Sequence, residues 1–325
     1  MTGILDTVLD RTPIEGHEGR SGGRLERGVL PDGSPVVIKQ TAASFDFAAR
    51  RTGDTFGREA RLWSTGVLDR LPSGVGHAIL DARPVGDGWE ILMRDVSDGL
   101  VRDGTAIDAP ACAQIAGAMA SLHATFLGED VDGLAPLDAF VGLFGPDVAH
   151  DTFDDNPLLA AIARGWEAFP DLVPETVASA VAAVHADPGG IARALEEAGT
   201  PTLIHGDFFL QNLARYRDEV VLFDWGLATR APGELEVAWF LTGTASRIPM
   251  SRERFVELYR QSCGARFSER AMEISYFAGL VLLGWNKALD ITGDGDDAFR
   301  QRERADLDWW VERSEECLHA VWAPS

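Results

Sequence analysis

HGDFFLQN, at residues 205–212, is the stretch that decides the fold of this chain, together with LFDWG at residues 222–226. Asp207 and Asn212 are five residues apart, and Asp224 follows a short apolar run. An acid, an amide and a second acid at these intervals can supply one proton acceptor and two oxygen ligands for metal ions. Phosphoryl transfer needs little more than an aligned nucleophile and cations that neutralise the phosphate charge. The spacing therefore indicates phosphoryl-transfer chemistry.

The residues around this set are predicted to form short strands. Residues 212–216 and 219–223 are interpreted as the two strands of a β-hairpin. We expect this hairpin to present Asn212 and Asp224 at its opposite ends. The alternative is that Asp207 caps a helix and Asp224 occupies a turn, which are both common positions for aspartate.

These segments resemble the aminoglycoside phosphotransferase and choline kinase-like superfamily of small-molecule kinases. The hallmark of that family is His-Gly-Asp, an Asn five residues after the Asp, and Asp-Trp or Asp-Phe on the next strand. The matching residues here are His205, Gly206, Asp207, Asn212, Asp224 and Trp225. The resemblance implies an α+β, protein-kinase-like fold of two lobes, with a small antiparallel-sheet N-lobe and a larger, mostly helical C-lobe.

The resemblance also implies an activity and its residues. It implies ATP-dependent phosphorylation of a hydroxyl group of a small molecule, with two magnesium ions. Asp207 would be the catalytic base, and Asn212 and Asp224 would be the magnesium ligands. His205 is expected to organise the loop without contacting the substrate.

Lysine is rare in this chain, which makes each lysine informative. There are two, Lys39 and Lys287, against twenty-seven arginines. Lys39 ends a β-branched run, residues 35–39, that matches the Val-Ala-Ile-Lys strand of kinases. A planar guanidinium does not replace a compact ammonium at such a site, so we predict that Lys39 holds the nucleotide phosphates. The alternative is an incidental lysine at the end of an edge strand. Lys287 should tolerate replacement by arginine if it lies on the surface.

Kinases orient this lysine with a glutamate on a helix. Glu59 is the one glutamate between Lys39 and Glu90, and apolar residues three or four positions away share its helical face. We predict an ion pair between Glu59 and Lys39. The alternative is a glutamate on the solvated flank of the helix.

Two further segments are predicted to contact the nucleotide. A glycine-rich segment, residues 18–28, precedes the Lys39 strand, and glycine lets backbone amides approach phosphate closely. Ser21 and Gly22 are the predicted contacts there, and a mobile surface loop is the alternative. A strand that ends at Met93 then leads into the expected hinge between lobes, where Met93 and Val96 would meet the adenine ring.

Length and patterning agree with two lobes that share one cleft. The chain has 325 residues, more than a single hydrophobic core usually holds. We predict a nucleotide-binding N-lobe over residues 1–93, a hinge over 94–99, and a helical C-lobe over 100–325 with the catalytic loop and the substrate site. Helices are expected from residue 109 onward, including residues 156–198, 231–264 and 269–320.

Charge, cysteine usage and hydropathy restrict the class of protein. The net charge of −22 argues against a nucleic-acid partner, whose phosphates would be repelled. It suits a cationic substrate, or it forms only a solubilising surface. The three cysteines lie far apart, so neither a disulfide framework nor a structural zinc site is expected. The longest apolar run, 274–285, is too short to span a bilayer, and a signal peptide is not evident. We expect a cytoplasmic protein.

The segment after Asp224 limits the size of the substrate. Protein kinases build a peptide platform there. In this chain a helix is predicted to begin near Glu234, ten residues after Asp224. Little room remains for such a platform, so we expect a small substrate and no protein partner.

Acidic residues near the C-terminus are the predicted substrate contacts. Asp290, Asp294 and Asp297 lie in or beside a glycine-containing loop. In the aminoglycoside phosphotransferases, acidic side chains from this part of the fold hold the ammonium groups of the substrate. The resemblance therefore favours an aminoglycoside or amino sugar, and a role in antibiotic resistance. The alternatives are a solvated acidic loop, a kinase of another alcohol (choline-like, sugar, nucleoside or peptide antibiotic), and a pseudokinase-like binding protein.

Overall fold

The computed structural model describes residues 3–14, 22–101, 105–150 and 156–321. Ser21, one of the predicted nucleotide contacts, lies outside the described residues. The strands are β1 (Leu9–Pro13), β2 (Arg24–Val29), β3 (Pro35–Thr41), β4 (Val75–His77), β5 (Ile79–Val85), β6 (Gly88–Arg94), β7 (Thr202–Ile204), β8 (Leu213–Arg215), β9 (Val220–Leu222) and β10 (Thr229–Ala231). The helices are α1 (Phe47–Arg51), α2 (Arg58–Ser64), α3 (Ala109–Thr125), α4 (Leu137–Val141), α5 (Pro157–Ala168), α6 (Glu175–Ala186), α7 (Pro188–Ala198), α8 (Gly233–Thr244), α9 (Arg252–Cys263), α10 (Glu269–Thr292) and α11 (Asp297–Val321).

Within those ranges, five strands form an antiparallel sheet in the order β1-β2-β3-β6-β5. Successive side chains of a strand point to opposite faces of the sheet. Val36, Ile38 and Leu92 belong to a small core on the outer face. Lys39 falls on the inner face, in register with Ile91, which joins the main core of the molecule. The alternation of β3 thus directs the lysine toward the helical part of the chain.

The predicted hairpin forms from β8 and β9, with Leu213 opposite Leu222. The backbone N–H of Phe223 donates to the backbone oxygen of Asn212 at 3.2 Å. Asn212 and Asp224 therefore lie side by side at the open end of the hairpin. The expectation that they occupy opposite ends was wrong, because antiparallel pairing brings the first residue of one strand beside the last residue of the other.

The helices predicted from the sequence are confirmed, and α10 is central to their packing. It contacts α5, α8 and α11 along its length. A Cβ atom on Gly165 of α5 would lie 2.2 Å from the backbone oxygen of Trp285 of α10, so glycine permits this close approach. None of the helices in the described ranges has both the length and the apolar character that crossing a membrane requires.

Lys287 is buried between α10 and α11. It is 7% exposed, and its Nζ atom lies 2.9 Å from Glu303 Oε2 and 2.6 Å from Asp306 Oδ2. Lys287 was expected to tolerate replacement by arginine if it lay on the surface, and the structure shows that it does not lie there. The aliphatic stem of lysine packs between two helices, and the two carboxylates of α11 compensate the buried ammonium.

Candidate active site

The inner face of the sheet places Lys39 against two carboxylates. Its Nζ atom donates to Glu59 Oε2 at 2.7 Å and to Asp224 Oδ1 at 2.6 Å. Lys39 is 8% exposed and Glu59 is 2% exposed, whereas the side chain of Asp224 is 41% exposed. The structure thus brings together the lysine, the helix glutamate and the second motif aspartate, and leaves one side of the group open to solvent.

The protonation states of Lys39 and Asp224 depend more on their charged neighbours than on burial. Burial lowers the pKa of Lys39, but Asp224 and Glu59 outweigh that effect and the net pKa lies above its usual value. Burial also raises the pKa of Asp224, but the adjacent ammonium outweighs it and the net pKa lies below its usual value. Opposite charges at hydrogen-bond distance favour the charged form of both groups. Lys39 is therefore protonated and Asp224 ionised at neutral pH.

Helix α2 positions Glu59 in its first turn. The Asp54 carboxylate accepts the backbone N–H of Arg58 at 2.8 Å, which satisfies a donor at the start of the helix. The guanidinium of Arg58 is buried and donates to the backbone oxygen of Gly226. Glu59 Oε1 also accepts the backbone N–H of Asp224 at 3.1 Å. These contacts join α2 to the segment around Asp224, so Lys39 and its partners are held as one unit.

Asp224 has a left-handed backbone conformation, with φ 67° and ψ 60°. This conformation is uncommon for residues other than glycine, and aspartate is among the residues that tolerate it best. It ends β9 with a sharp turn and starts a helical turn over Trp225–Leu227. Strained backbone of this kind is concentrated at functional sites.

Asp207 lies beside Asn212 in the loop between β7 and β8. Asn212 Nδ2 donates to Asp207 Oδ2 at 2.6 Å and to the Asp207 backbone oxygen at 3.0 Å. Burial, followed by the charge of Asp224, raises the pKa of Asp207 to about 7, while contacts with Asn212 and Trp239 act in the opposite direction. A carboxyl group whose pKa is close to neutral is well matched to accept a proton from a hydroxyl.

His205 and Gly206 shape the backbone just before Asp207. The Asp207 N–H donates to His205 Nδ1 at 3.3 Å. His205 is completely buried, and burial lowers the pKa of its imidazole, so the ring is neutral. Gly206 has a φ of 82°, and a Cβ atom there would lie 2.1 Å from the backbone oxygen of Leu227. Only glycine fits this position.

A buried chain of hydrogen bonds holds the loop from the helical side. The Gly206 N–H donates to Glu236 Oε1 at 2.7 Å, and Glu236 Oε2 lies 2.9 Å from His123 Nε2. His123 Nδ1 lies 2.8 Å from the Tyr259 hydroxyl. The roles of Glu236 and Tyr259 in supporting the loop were not predicted from the sequence. Two glutamates, Glu234 and Glu236, at the start of the largely apolar helix α8 were the available signal.

Gly22, Met93 and Val96, which were predicted to contact the nucleotide, lie just before β2 or at or just after the end of β6, the two strands that pair with β3. Gly22 has a φ of 107°, and a Cβ atom there would lie 2.2 Å from the backbone oxygen of Phe45. The next residue, Gly23, passes beside the Lys39 side chain. Met93 and Val96 are both buried at the end of β6 and just after it. The glycine-rich segment and the segment after β6 therefore flank the strand that carries the lysine.

The acidic residues predicted to bind substrate lie on α10, on α11 and on the connection between them. Asp290 is half-buried on α10, and Asp294 is exposed in the connection. Asp297 is exposed, and its carboxylate pairs with Arg300 one turn later on α11. Asp296 lies between Asp294 and Asp297 in the sequence, and its carboxylate accepts the backbone N–H of Phe299 at 2.7 Å. Part of this acidic group thus has local structural partners.

Asn212 and Asp224 offer oxygen ligands of the kind that magnesium binds. Because the amide nitrogen of Asn212 faces Asp207, its amide oxygen is the atom left for a metal ion. The described residues contain no group of three or more His, Cys, Asp or Glu side chains that could hold a metal ion by themselves. Magnesium usually takes one or two protein carboxylates and completes its shell with phosphate oxygens and water. The residues present fit a magnesium ion that binds together with a nucleotide.

A protein-family model described as the phosphotransferase enzyme family matches residues 102–272. This range spans more than half of the chain and includes Asp207, Asn212 and Asp224. The match confirms the resemblance that the motif spacing indicated. No curated protein matches the chain.

Solved structures of low sequence identity have the same fold. The choline kinase LicA from Streptococcus pneumoniae is 11% identical, with 95% of each chain covered and a TM-score of 0.53. An aminoglycoside phosphotransferase from Streptomyces rimosus, in complex with ADP and streptomycin, is 19% identical over 82% of this chain and 94% of that chain, with a TM-score of 0.51. An aminoglycoside-3'-phosphotransferase of type VIII is 17% identical over 85% of this chain and 93% of that chain, with a TM-score of 0.51. These likenesses confirm the predicted α+β, protein-kinase-like fold.

Proposed function

The chain belongs to the phosphotransferase enzyme family, and we propose that it transfers the γ-phosphoryl group of ATP to a hydroxyl group of a small molecule. Family membership confirms the predicted enzyme class, a small-molecule phosphotransferase. One observation carries the proposed mechanism. Lys39 contacts both Glu59 and Asp224, and Asn212, whose backbone pairs with the residue before Asp224, contacts Asp207.

Asp207 is the proposed base. It accepts the proton of the acceptor hydroxyl, whose oxygen forms a bond to the γ-phosphorus of ATP. The bond between that phosphorus and the bridging oxygen breaks, and ADP leaves with the oxygen. With a pKa of about 7, Asp207 is a stronger base than an ordinary aspartate and is still substantially ionised at neutral pH.

Lys39, Glu59, Asn212 and Asp224 are the proposed nucleotide and metal residues. The Lys39 ammonium would contact the nucleotide phosphates, and Glu59 would hold the ammonium in place. Asn212 and Asp224 would bind magnesium, which neutralises negative charge on the phosphates when it is bound. The low pKa of Asp224 supports this role, because an ionised carboxylate is the form that binds a cation.

The nucleotide contacts proposed for Gly22, Met93 and Val96 follow from their positions next to β3, and the contact proposed for Ser21 rests on its place in the sequence. Gly22 directly precedes Gly23, which passes beside the Lys39 side chain. Met93 lies near the end of β6, and Val96 follows that strand. The division into an N-lobe, a hinge over residues 94–99 and a C-lobe stays a prediction. A nucleotide between the two lobes would place its γ-phosphate toward Asp224.

The acceptor is proposed to carry an amine beside its hydroxyl group, as an aminoglycoside or amino sugar does. The net charge of −22 supports a cationic acceptor, and Asp290 and Asp294 are the proposed contacts for its ammonium groups. The structure from Streptomyces rimosus, which contains ADP and streptomycin, supports the same class of acceptor. Asp297 is a weaker contributor, because its charge is already paired with Arg300.

An acceptor screen coupled to ADP release tests the proposal. The panel contains aminoglycosides, amino sugars, choline-like alcohols and nucleosides, each with ATP and magnesium. We expect acceptor-dependent ADP release, and we expect Asp207→Asn to lower turnover by about two to four orders of magnitude while nucleotide binding is kept. Asp218→Asn, at the exposed tip of the β8–β9 hairpin, is the matched control and should be neutral.

Two results would contradict this function. Near-normal turnover in folded Asp207→Asn would exclude Asp207 as the base. Nucleotide binding without ADP release for any acceptor would favour a non-catalytic binding protein.

A further inference from the structure

The turn that follows β9 has a backbone that its surroundings must hold in place. Asp224 has a left-handed conformation there, and a non-glycine residue keeps such a conformation only where neighbouring contacts determine it. The Asp224 carboxylate is the proposed magnesium ligand, and a Cβ atom on Gly226 would lie 3.4 Å from its Oδ1 atom. The backbone at Gly226 therefore lies against the carboxylate, and a contact that fixes this backbone also fixes the ligand.

Two consecutive residues of α2 hold this turn at its two ends. Glu59 Oε1 accepts the backbone N–H of Asp224 at 3.1 Å, and Arg58 Nη1 donates to the backbone oxygen of Gly226. Glu59 is also the partner of Lys39, and that ion pair accounts for its place in the site. The place of Arg58 needs a separate explanation.

Arg58 is a buried cation whose guanidinium has no carboxylate partner among the described residues. It is 1% exposed. Its guanidinium donates to oxygens without formal charge, namely the Thr52 hydroxyl and the backbone oxygens of Thr52, Gly133 and Gly226. Burial of a charge without an opposite charge costs free energy, so charge pairing does not explain an arginine here. The planar arrangement of its donors does, because a guanidinium can hold several fixed oxygens at once.

The same guanidinium attaches the turn to the helical part of the chain. Gly133 lies in the connection between α3 and α4, and its backbone oxygen accepts Arg58 Nε at 3.2 Å. Arg61, one turn later on α2, has its Nη2 atom 3.1 Å from Oδ2 of Asp132 in the same connection. Both arginines thus dock α2 on this segment, and in the contacts that the structure describes Arg58 is the one of the two that also donates to the turn after Asp224.

We propose that Arg58 is a positioning residue for the magnesium ligand Asp224. It acts through the backbone oxygen of Gly226 and, together with Glu59, holds the partly exposed carboxylate in its place beside Asn212. This inference rests on the proposed function, because it takes Asp224 as a ligand of magnesium. A residue that orients a metal ligand contributes to metal affinity without touching the metal, so loss of the Arg58 donors should weaken metal binding.

Binding of manganese tests this role without turnover. Mn²⁺ prefers the same oxygen ligands as Mg²⁺, and electron paramagnetic resonance measures the concentration of the free ion. The full chain with ADP is titrated with Mn²⁺, and a titration of ADP alone corrects for the ion that the nucleotide binds by itself. We expect Arg58→Met to raise the Kd of Mn²⁺ about ten- to a hundredfold, which is the usual effect of losing a residue that orients a metal ligand. The Kd of ADP without metal should stay the same.

Two further variants separate the donors of Arg58 from its charge and from the docking of α2. Arg58→Lys keeps the charge in a compact group that cannot reach several fixed oxygens at once, and it should raise the Kd of Mn²⁺ by less than Arg58→Met does. Arg61→Met removes a guanidinium from the same helix and the same connection, and it should leave the Kd of Mn²⁺ unchanged. Circular dichroism establishes that each variant is folded, and Arg58→Lys provides the test if Arg58→Met does not fold.

Three outcomes would overturn the inference. They are a wild-type Kd of Mn²⁺ in either folded Arg58 variant, an equal rise in Arg61→Met, and loss of the fold in both Arg58 variants, which would make Arg58 a residue of global stability. Asp224→Ala keeps this test distinct from that of the proposed function. Wild-type Mn²⁺ binding in Asp224→Ala would contradict the metal site itself. Weak Mn²⁺ binding in Asp224→Ala with wild-type binding in Arg58→Met would contradict the positioning role alone.

Discussion

Two buried ion clusters in this molecule have nearly the same composition and very different surroundings. The Lys39 cluster consists of Lys39, Glu59 and Asp224, and the Lys287 cluster consists of Lys287, Glu303 and Asp306. In each, one ammonium lies between two carboxylates at 2.6–2.9 Å, and the lysine is less than one tenth exposed. A buried lysine between two acids is therefore not, by itself, a sign of function.

The difference lies in what each cluster leaves open. The Asp224 side chain is 41% exposed and stands beside Asn212, which contacts Asp207. The Asp306 side chain is 8% exposed and is contacted by Arg252 in addition to Lys287. The Lys287 cluster is closed and its charges are compensated within the protein. The Lys39 cluster keeps one carboxylate accessible, which a site for metal and phosphate requires.

The largest expected effect separates the two aspartates. Asp224→Ala should lower turnover by about three orders of magnitude, because it removes a ligand of the proposed magnesium ion and the partner of Lys39. Asp306→Ala should keep the turnover of the folded molecules and lower stability instead. Steady-state ADP release and circular dichroism on both variants measure this contrast. A loss of turnover in folded Asp306→Ala as large as in Asp224→Ala would erase the distinction between the clusters.

The two lysines should respond differently to arginine. Lys39→Arg keeps the charge but presents a wider, forked group to the nucleotide, and turnover should fall about a hundredfold. Lys287→Arg should lower the melting temperature, because the larger guanidinium must fit between packed helices, and should leave turnover unchanged. Both variants are compared by thermal melting and by ADP release. Equal turnover in both would remove the reason to assign the phosphates to Lys39.

Removal of the lysine charge should lower stability more at Lys287 than at Lys39, which is the opposite of the order expected for turnover. Lys287→Met leaves the buried Glu303 carboxylate without compensation and leaves Asp306 with Arg252 alone, and it should lower the free energy of unfolding by about 3–5 kcal/mol. Lys39→Met should lower it by less, because water reaches Asp224. Urea denaturation of both variants gives the two free energies. A larger loss for Lys39→Met would mean that the Lys39 cluster is the more closed of the two.

The charge of Asp224 should also be visible in the titration of its neighbour. Burial and the negative charge of Asp224 raise the pKa of Asp207 to about 7, so kcat/KM should rise with pH through that value as Asp207 becomes ionised. In Asp224→Asn one of these causes is removed, and the pKa of Asp207 should fall. Carboxyl ¹³C chemical shifts, assigned with Asp207→Asn, follow this change. Asp306→Asn is the control, and a shift of the Asp207 pKa there would contradict the assignment.

The smallest expected effect concerns the acidic residues beside the Lys287 cluster. Asp290→Asn and Asp294→Asn should each raise the KM of a cationic acceptor about two- to fivefold, as expected for partly exposed ion pairs. Asp297→Asn should have less effect, because Arg300 already pairs with that carboxylate. The KM should also rise with added salt. A neutral acceptor, or a KM that ignores these substitutions, would refute the cationic-acceptor proposal and leave the phosphotransferase assignment intact.

Local patterns predicted the parts of the site that are close in sequence or have a strong strand signature. The β8–β9 hairpin, the β3 strand that carries Lys39, and the α2 helix that carries Glu59 were all predicted from the sequence and are present in the structure. The Lys39–Glu59 ion pair joins residues that are twenty positions apart in the sequence. The contact between Lys39 and Asp224 joins residues that are 185 positions apart. The sequence predicted the Lys39–Glu59 pair, because each residue stands in a segment with a recognisable pattern of its own, but it did not predict the contact between Lys39 and Asp224.

The residues that sequence reasoning missed have no local pattern. Glu236 and His123 meet across 113 positions, and the Lys287 cluster forms where α10 packs on α11. A glutamate inside a largely apolar helix such as α8 indicates a buried charge, but the sequence of that helix does not identify the partner on a neighbouring helix. Burial at these positions follows from which helix faces pack together, and spacing within one helix does not specify that.

The amino-acid sequence alone indicated the family through the spacing of its motif, and the resemblance to that family implied the fold class and the proposed base and metal ligands. Tertiary structure alone decided three things. Antiparallel pairing brought Asn212 beside Asp224, helix packing buried Lys287, and the approach of α8 to the catalytic loop stacked Phe209 on Trp239. Each depends on contacts between segments far apart in the chain, which form only when the apolar faces of those segments are buried together.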